Sequence, residues 1–198
     1  MGRIIFGGIL GGIIAFVWSF VSWMVLPWHE WTLQSFSNEE FVSWVIKENV
    51  KKDGVYIIPH KGSSKTALTP SELKDKVDPD KSKTKEGPFI YAQIKRKGID
   101  YTSPKQYIIS FLTQFVGASL ISFLLLKAAE SSYMGRLLFV TTMGLIIGVL
   151  GSIPNWNWFG GGNLFLLISV ADLVITWFLA GLLMAAVVKQ KPERDLMM

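Results

Sequence analysis

Unbroken apolar tracts alternate with polar stretches along this chain, and the tracts are of membrane length. The first, Ile4 to Leu26, carries no charged residue. A helix rises about 1.5 Å per residue, so about 20 residues cross a ~30 Å hydrocarbon core. This tract is long enough to span. Three more follow at residues 106–127, 137–153 and 164–188, the third being the shortest. The pattern predicts an α-helical integral membrane protein, a four-transmembrane-helix bundle. Residues 1–27 hold the first helix, and 189–198 form a tail.

Between the first two tracts, residues 28–105 change character and predict a small external α+β insertion. Ser37 followed by Glu40, with Phe36 before the cap and Phe41 inside, has the spacing of a capping box with a hydrophobic staple. The helix is expected from Asn38 to Asn49, with Phe41, Trp44 and Val45 on one face that needs cover. Lys51-Lys52-Asp53-Gly54 then turns the chain into a short strand, Val55 to Ile58, closed by Pro59. A second strand, Phe89 to Ile94, is expected to pair with it antiparallel. The intervening residues 60–87 are Lys-, Ser- and Asp-rich and predict a solvated loop. Thr69-Pro70-Ser71-Glu72 has the pattern of a short helix start, giving one or two turns at Pro70 to Lys76.

Composition adds to this picture mainly by exclusion. Half of the 198 residues are hydrophobic, and the net charge is +5. The basic residues crowd into residues 30–105, where acids are interleaved with them, so no basic recognition helix for nucleic acid emerges. No cysteine is present, which removes disulfides, thiolate metal sites and cysteine nucleophiles. The first tract exceeds the roughly 7 to 15 apolar residues of a signal-peptide core and runs into Leu-Pro-Trp, so it is expected to be retained.

Lys and Arg in the short loops set the orientation. Arg3 precedes the first tract, Lys127 and Arg136 bracket the turn between the second and third, and Lys189, Lys191 and Arg194 follow the fourth. Ser152 to Asn163 carries no charge. Both termini are therefore expected on the cytoplasmic side of a cell (inner or plasma) membrane, with residues 28–105 outside. Trp28, Trp31, Trp156 and Trp158 then fall at the outer headgroups as an aromatic belt. The alternative is that they shape an outer-interface groove with His29 and Glu30.

Small residues mark where helices approach one another. Gly7, Gly8, Gly11 and Gly12, and later Gly144 and Gly148, form small-xxx-small pairs, read as packing within the bundle or as a dimer contact. Ser110, Gln114, Ala118 and Ser122 recur every fourth residue and should face inward.

Asp172 is the ionisable residue set deepest in a tract. A carboxylate there is expensive unless paired, hydrated or protonated, which makes it a candidate site. Counted from the tract ends, Asp172, Gln114 and Ser19 all lie about 12 Å below the outer face. They define an expected polar layer, with Thr176 or Trp177 a turn deeper. That layer reads either as an interhelical pin or as part of a proton or cation path. His29, Glu30 and His60 lack metal-ligand spacing, and no cofactor or metal is expected. Hydrolase, zinc-protease, P-loop and dinucleotide motifs are absent. Gly160-Gly161-Gly162 reads as a flexible turn, or as a weak anion cradle before the fourth helix.

These features point to a non-enzymatic accessory or scaffold subunit whose partners are the lipid bilayer and another membrane protein or a second copy. The alternative is a small oligomeric transporter or channel-like module using Asp172. A lipid-active enzyme with His29 and Glu30 as acid and base is the least supported reading.

Overall fold

Glycine, alanine and serine at four-residue steps let the first helix lie close against two neighbours at once, and the bundle is organised around it. The computed structural model describes residues 1–60, 87–128 and 132–189. In chain order the elements are α1 (Gly2–Met24), a 3₁₀ turn (Glu30–Thr32), α2 (Glu39–Asn49), β1 (Gly54–Ile58), β2 (Ile90–Ile94), α3 (Pro104–Lys127), α4 (Tyr133–Phe159) and α5 (Asn163–Val187). Four of these helices, α1, α3, α4 and α5, are long and apolar enough to cross a membrane. The chain divides into two compact units, one comprising Met1–Gln34, Asp100–Asn157 and Gly161–Met198, the other Ser35–Ile99 with Trp158–Gly160. The expected turns at Pro70 to Lys76, the interior of the 60–87 loop and nearly all of the 189–198 tail lie outside the described residues.

In the helical unit, α1 packs against both α3 and α5. Gly12 faces the backbone of Phe115 on α3, while Gly11 meets Met184 of α5 and Ala118 of α3. On the other side of α5, Gly144 and Gly148 of α4 approach the Leu173 carbonyl and Val170. The small-residue pairs thus serve packing within the bundle. The core joins Ala118, Ile121 and Leu125 of α3, Val140 of α4, and Trp177, Ala180 and Met184 of α5, with Val188 beside them.

Two features of this unit depart from the sequence expectation. The third span is not the shortest: α4 runs for 27 residues from Tyr133 to Phe159 and passes through Pro154. A proline so near the helix end removes a single backbone bond, and the residues beyond it carry no stronger stop until Gly160, which takes a positive φ of 73°. Arg136, read as a loop charge, is buried in the first turn of α4, where its Nε donates to the Ala185 carbonyl at 2.7 Å. Tyr133 donates to Leu182 O, and Arg3 donates to Lys189 O. Together they meet carbonyls around the end of α5, where helix geometry leaves acceptors unpaired and partial negative charge accumulates.

The smaller unit contains the antiparallel pair, in register from Gly54 opposite Ile94 to Ile58 opposite Ile90. Asp53 fastens its open end: Oδ1 accepts from the Arg96 backbone N–H at 3.0 Å, and Oδ2 lies 3.6 Å from Lys95 Nζ. The helix α2 starts one residue later than the capping-box spacing predicts. Asn38, not Ser37, is the N-cap, its Oδ1 accepting from Phe41 N–H at 2.9 Å. Either side chain can cap, but Asn at the later position places its oxygen over the first unpaired N–H groups. Asn38→Ala should therefore cost about 1 kcal/mol of this unit's stability, while Ser37→Ala leaves it unchanged. Hydrogen exchange of the α2 amides reads the difference, and equal protection in both variants would reject the assignment.

Candidate functional site

Where α1 ends, the chain doubles back into the bundle. Val25 and Leu26 N–H groups both reach Val21 O at 3.0 Å, and Pro27 cannot extend the helix. The following residues turn through the 3₁₀ segment, in which Thr32 Oγ1 donates to His29 O at 2.6 Å. This return carries His29 inward, leaving it 3% exposed.

The imidazole lands among groups from α1 and α5. Its Nε2 is 3.3 Å from Asp172 Oδ2 and 3.1 Å from Ser22 Oγ. The other carboxylate oxygen, Oδ1, accepts from Trp18 Nε1–H at 2.7 Å. Trp28 Nε1–H donates to both the carbonyl and the hydroxyl of Ser22, at 3.0 and 3.1 Å. Trp23 stacks on the imidazole with ring centres 3.7 Å apart and planes within 8°. Trp28 meets it edge-on at 5.5 Å. One proton between Nε2 and Oδ2 satisfies both partners, and three indoles surround the pair with low-dielectric surface. Nδ1 is buried with no hydrogen-bond partner.

The chemistry this geometry permits is narrow. In a serine-hydrolase relay the imidazole uses one nitrogen for the nucleophile and the other for the carboxylate. Here Ser22 and Asp172 share Nε2, so no such relay is assembled. What the site does hold is a buried His–Asp contact that ties the return segment to α5. Among the described residues no group of three or more His, Asp or Glu side chains is placed to hold a metal.

The expected single polar layer is instead two separate groups. Gln114 Nε2 donates to Ser19 Oγ at 3.3 Å, linking α3 to α1. Asp172 takes its side-chain hydrogen bonds from Trp18 and His29, on the other face of α1. Thr176 Oγ1 bonds the Asp172 carbonyl, and Trp177 lies in the core. His29 and Glu30 do not act as an interfacial pair, because consecutive residues in the turn point oppositely: His29 is buried and Glu30 exposed. Trp31 is 64% exposed, whereas Trp28 is half-buried in the site. Trp156 donates to Asn163 Oδ1 at 2.8 Å, and Trp158 is exposed. His60 is exposed. Trp18 and Ser22 were missed as site residues, though Gly11, Ala15, Trp18 and Ser22 follow i, i+4, i+7, i+11 spacing, which marks one helix face.

The chain is mostly helical, and its four long apolar helices support a multi-pass membrane protein. Family models, curated proteins and solved structures give no match to it.

Proposed function

We propose that this chain is a non-enzymatic accessory or scaffold subunit of a cell (inner or plasma) membrane. Both termini lie on the cytoplasmic side, and the smaller unit outside binds another membrane protein or a second copy. The observation that carries this reading is on α2. Phe41 and Trp44 stack on each other at 6.1 Å between ring centres, yet each is 58% exposed. Clustered uncovered aromatics of this kind are the usual anchors of a protein interface. The deepest carboxylate, by contrast, is already engaged by Trp18 and His29.

A photo-crosslinking residue at Trp44, introduced in the native membrane, tests the proposal. A single protein adduct is expected at that position, while the same residue at exposed Leu150 on α4 yields lipid adducts. Adducts to lipid alone at position 44 would reject the subunit reading. A second reading, a small oligomeric transporter or channel-like module, draws on the buried contact of Asp172 with His29. It requires a path that breaks the Trp18 and His29 contacts, and it predicts proton flux in proteoliposomes that Asp172→Asn abolishes.

A further inference from the structure

A groove of about 350 Å³ opens between the final turns of α1 and the first turns of α3. Gln106, Ser110 and Gln114 line it from α3, spaced four residues apart on one face, with Phe20 and Trp23 opposite on α1 and Tyr107 alongside. Gln114 lies ten residues past the start of α3, about 15 Å along its axis. At Ser110 and Gln114 this polar line thus enters a segment where uncharged hydrogen-bonding groups need partners. Among the described residues, the Gln106 amide and Ser110 hydroxyl have none. Gln114 commits one N–H, to Ser19, and leaves its carbonyl and second N–H for the groove. No charged side chain lines the space.

We propose that this groove binds an amphiphilic lipid with an uncharged, oxygen-rich head. Amides and a hydroxyl both donate and accept, which suits hydroxyl and ester oxygens. Aromatic walls suit the faces of a sugar or glycerol moiety, and the tail continues along Phe20 into the bilayer. The missing charge disfavours phosphate-bearing heads, because an anion would have no cation to meet. Trp23 presents one ring face to His29, so the groove and the His–Asp site share a wall.

The full-length protein in phosphatidylcholine nanodiscs, doped with either a monoglucosyl diacylglycerol or the parent diacylglycerol, provides the test. Lipid retained by the protein is read by native mass spectrometry. The glucosyl lipid should be retained about tenfold over phosphatidylcholine, equivalent to about 1.4 kcal/mol. Gln114→Leu should reduce that preference several-fold. Ser110→Ala and Gln106→Leu, at sites that carry no side-chain hydrogen bond, should do the same with an unchanged melting temperature. Equal retention of the diacylglycerol would assign recognition to the glycerol hydroxyl and esters, within the same class. Adducts of phosphatidylcholine without preference, or a preference that survives all three substitutions, would overturn the proposal.

Discussion

Asp172→Leu will destabilise the bundle by about 1 to 3 kcal/mol, because it removes the acceptor that ties Trp18 and His29 to α5. Trp18 Nε1–H loses its acceptor, while His29 Nε2 keeps only Ser22 Oγ, and a buried group left unpaired costs about 1 to 3 kcal/mol. Asp172→Asn behaves differently. Its amide oxygen still accepts from Trp18 Nε1–H, and His29 Nε2 keeps Ser22 Oγ as a partner. Since single interhelical hydrogen bonds in membranes average well under 1 kcal/mol, the Asn variant should lose no more than about 1 kcal/mol. Unfolding of both variants in mild detergent, followed by tryptophan fluorescence, measures the gap. Similar losses for Leu and Asn would mean that the carboxylate does not fasten the return segment to α5.

Gly12→Leu will disrupt the contact between α1 and α3. A Cβ at Gly12 would sit 2.9 Å from Phe115 Cα and 3.1 Å from Phe115 N, both backbone atoms that no rotamer change can move. The helices must separate, and overpacking of this kind costs about 1 to 3 kcal/mol, more where backbone must shift. The expected loss is about 3 kcal/mol. It should be accompanied by weakening of the Gln114–Ser19 contact across the same interface. Gly151 is the matched control, because a Cβ there meets nothing within 4 Å. Gly151→Leu should be neutral or slightly stabilising, since leucine favours helix over glycine. Equal melting temperatures for the two variants would show that α1 does not need its glycines for close approach.

Much of the helical framework was legible because long apolar helices leave a one-dimensional record in the sequence. The ends of α1, α3 and α5 fall within about two residues of the apolar tracts. The third helix was read short because its polar finish, Pro154-Asn155-Trp156-Asn157, looks like a loop. Hydropathy reports solvent preference, whereas the helix continues on backbone hydrogen bonds. Ser37 and Asn38 were both competent caps, and the choice between adjacent residues turns on local φ and ψ, which composition does not encode.

The site shows the same division. Asp172 stands out in the sequence, since a carboxylate in an apolar tract needs a partner. Depth counting then paired it with Gln114 and Ser19, which lie at a similar level. Depth is one coordinate, and the azimuth of each side chain around its helix is another. Ser19 faces α3 while Trp18 faces α5, so neighbours in sequence serve different helices.

By itself, the sequence determined the number of apolar helices, the strand pair and the need for a partner at Asp172, because each follows from local composition and periodicity. Only the tertiary structure decided which partner. The bend after Pro27 folds His29 back beside Asp172, 143 residues away in the chain. That meeting depends on how α1 and α5 pack around Gly11, a long-range arrangement that no local pattern records.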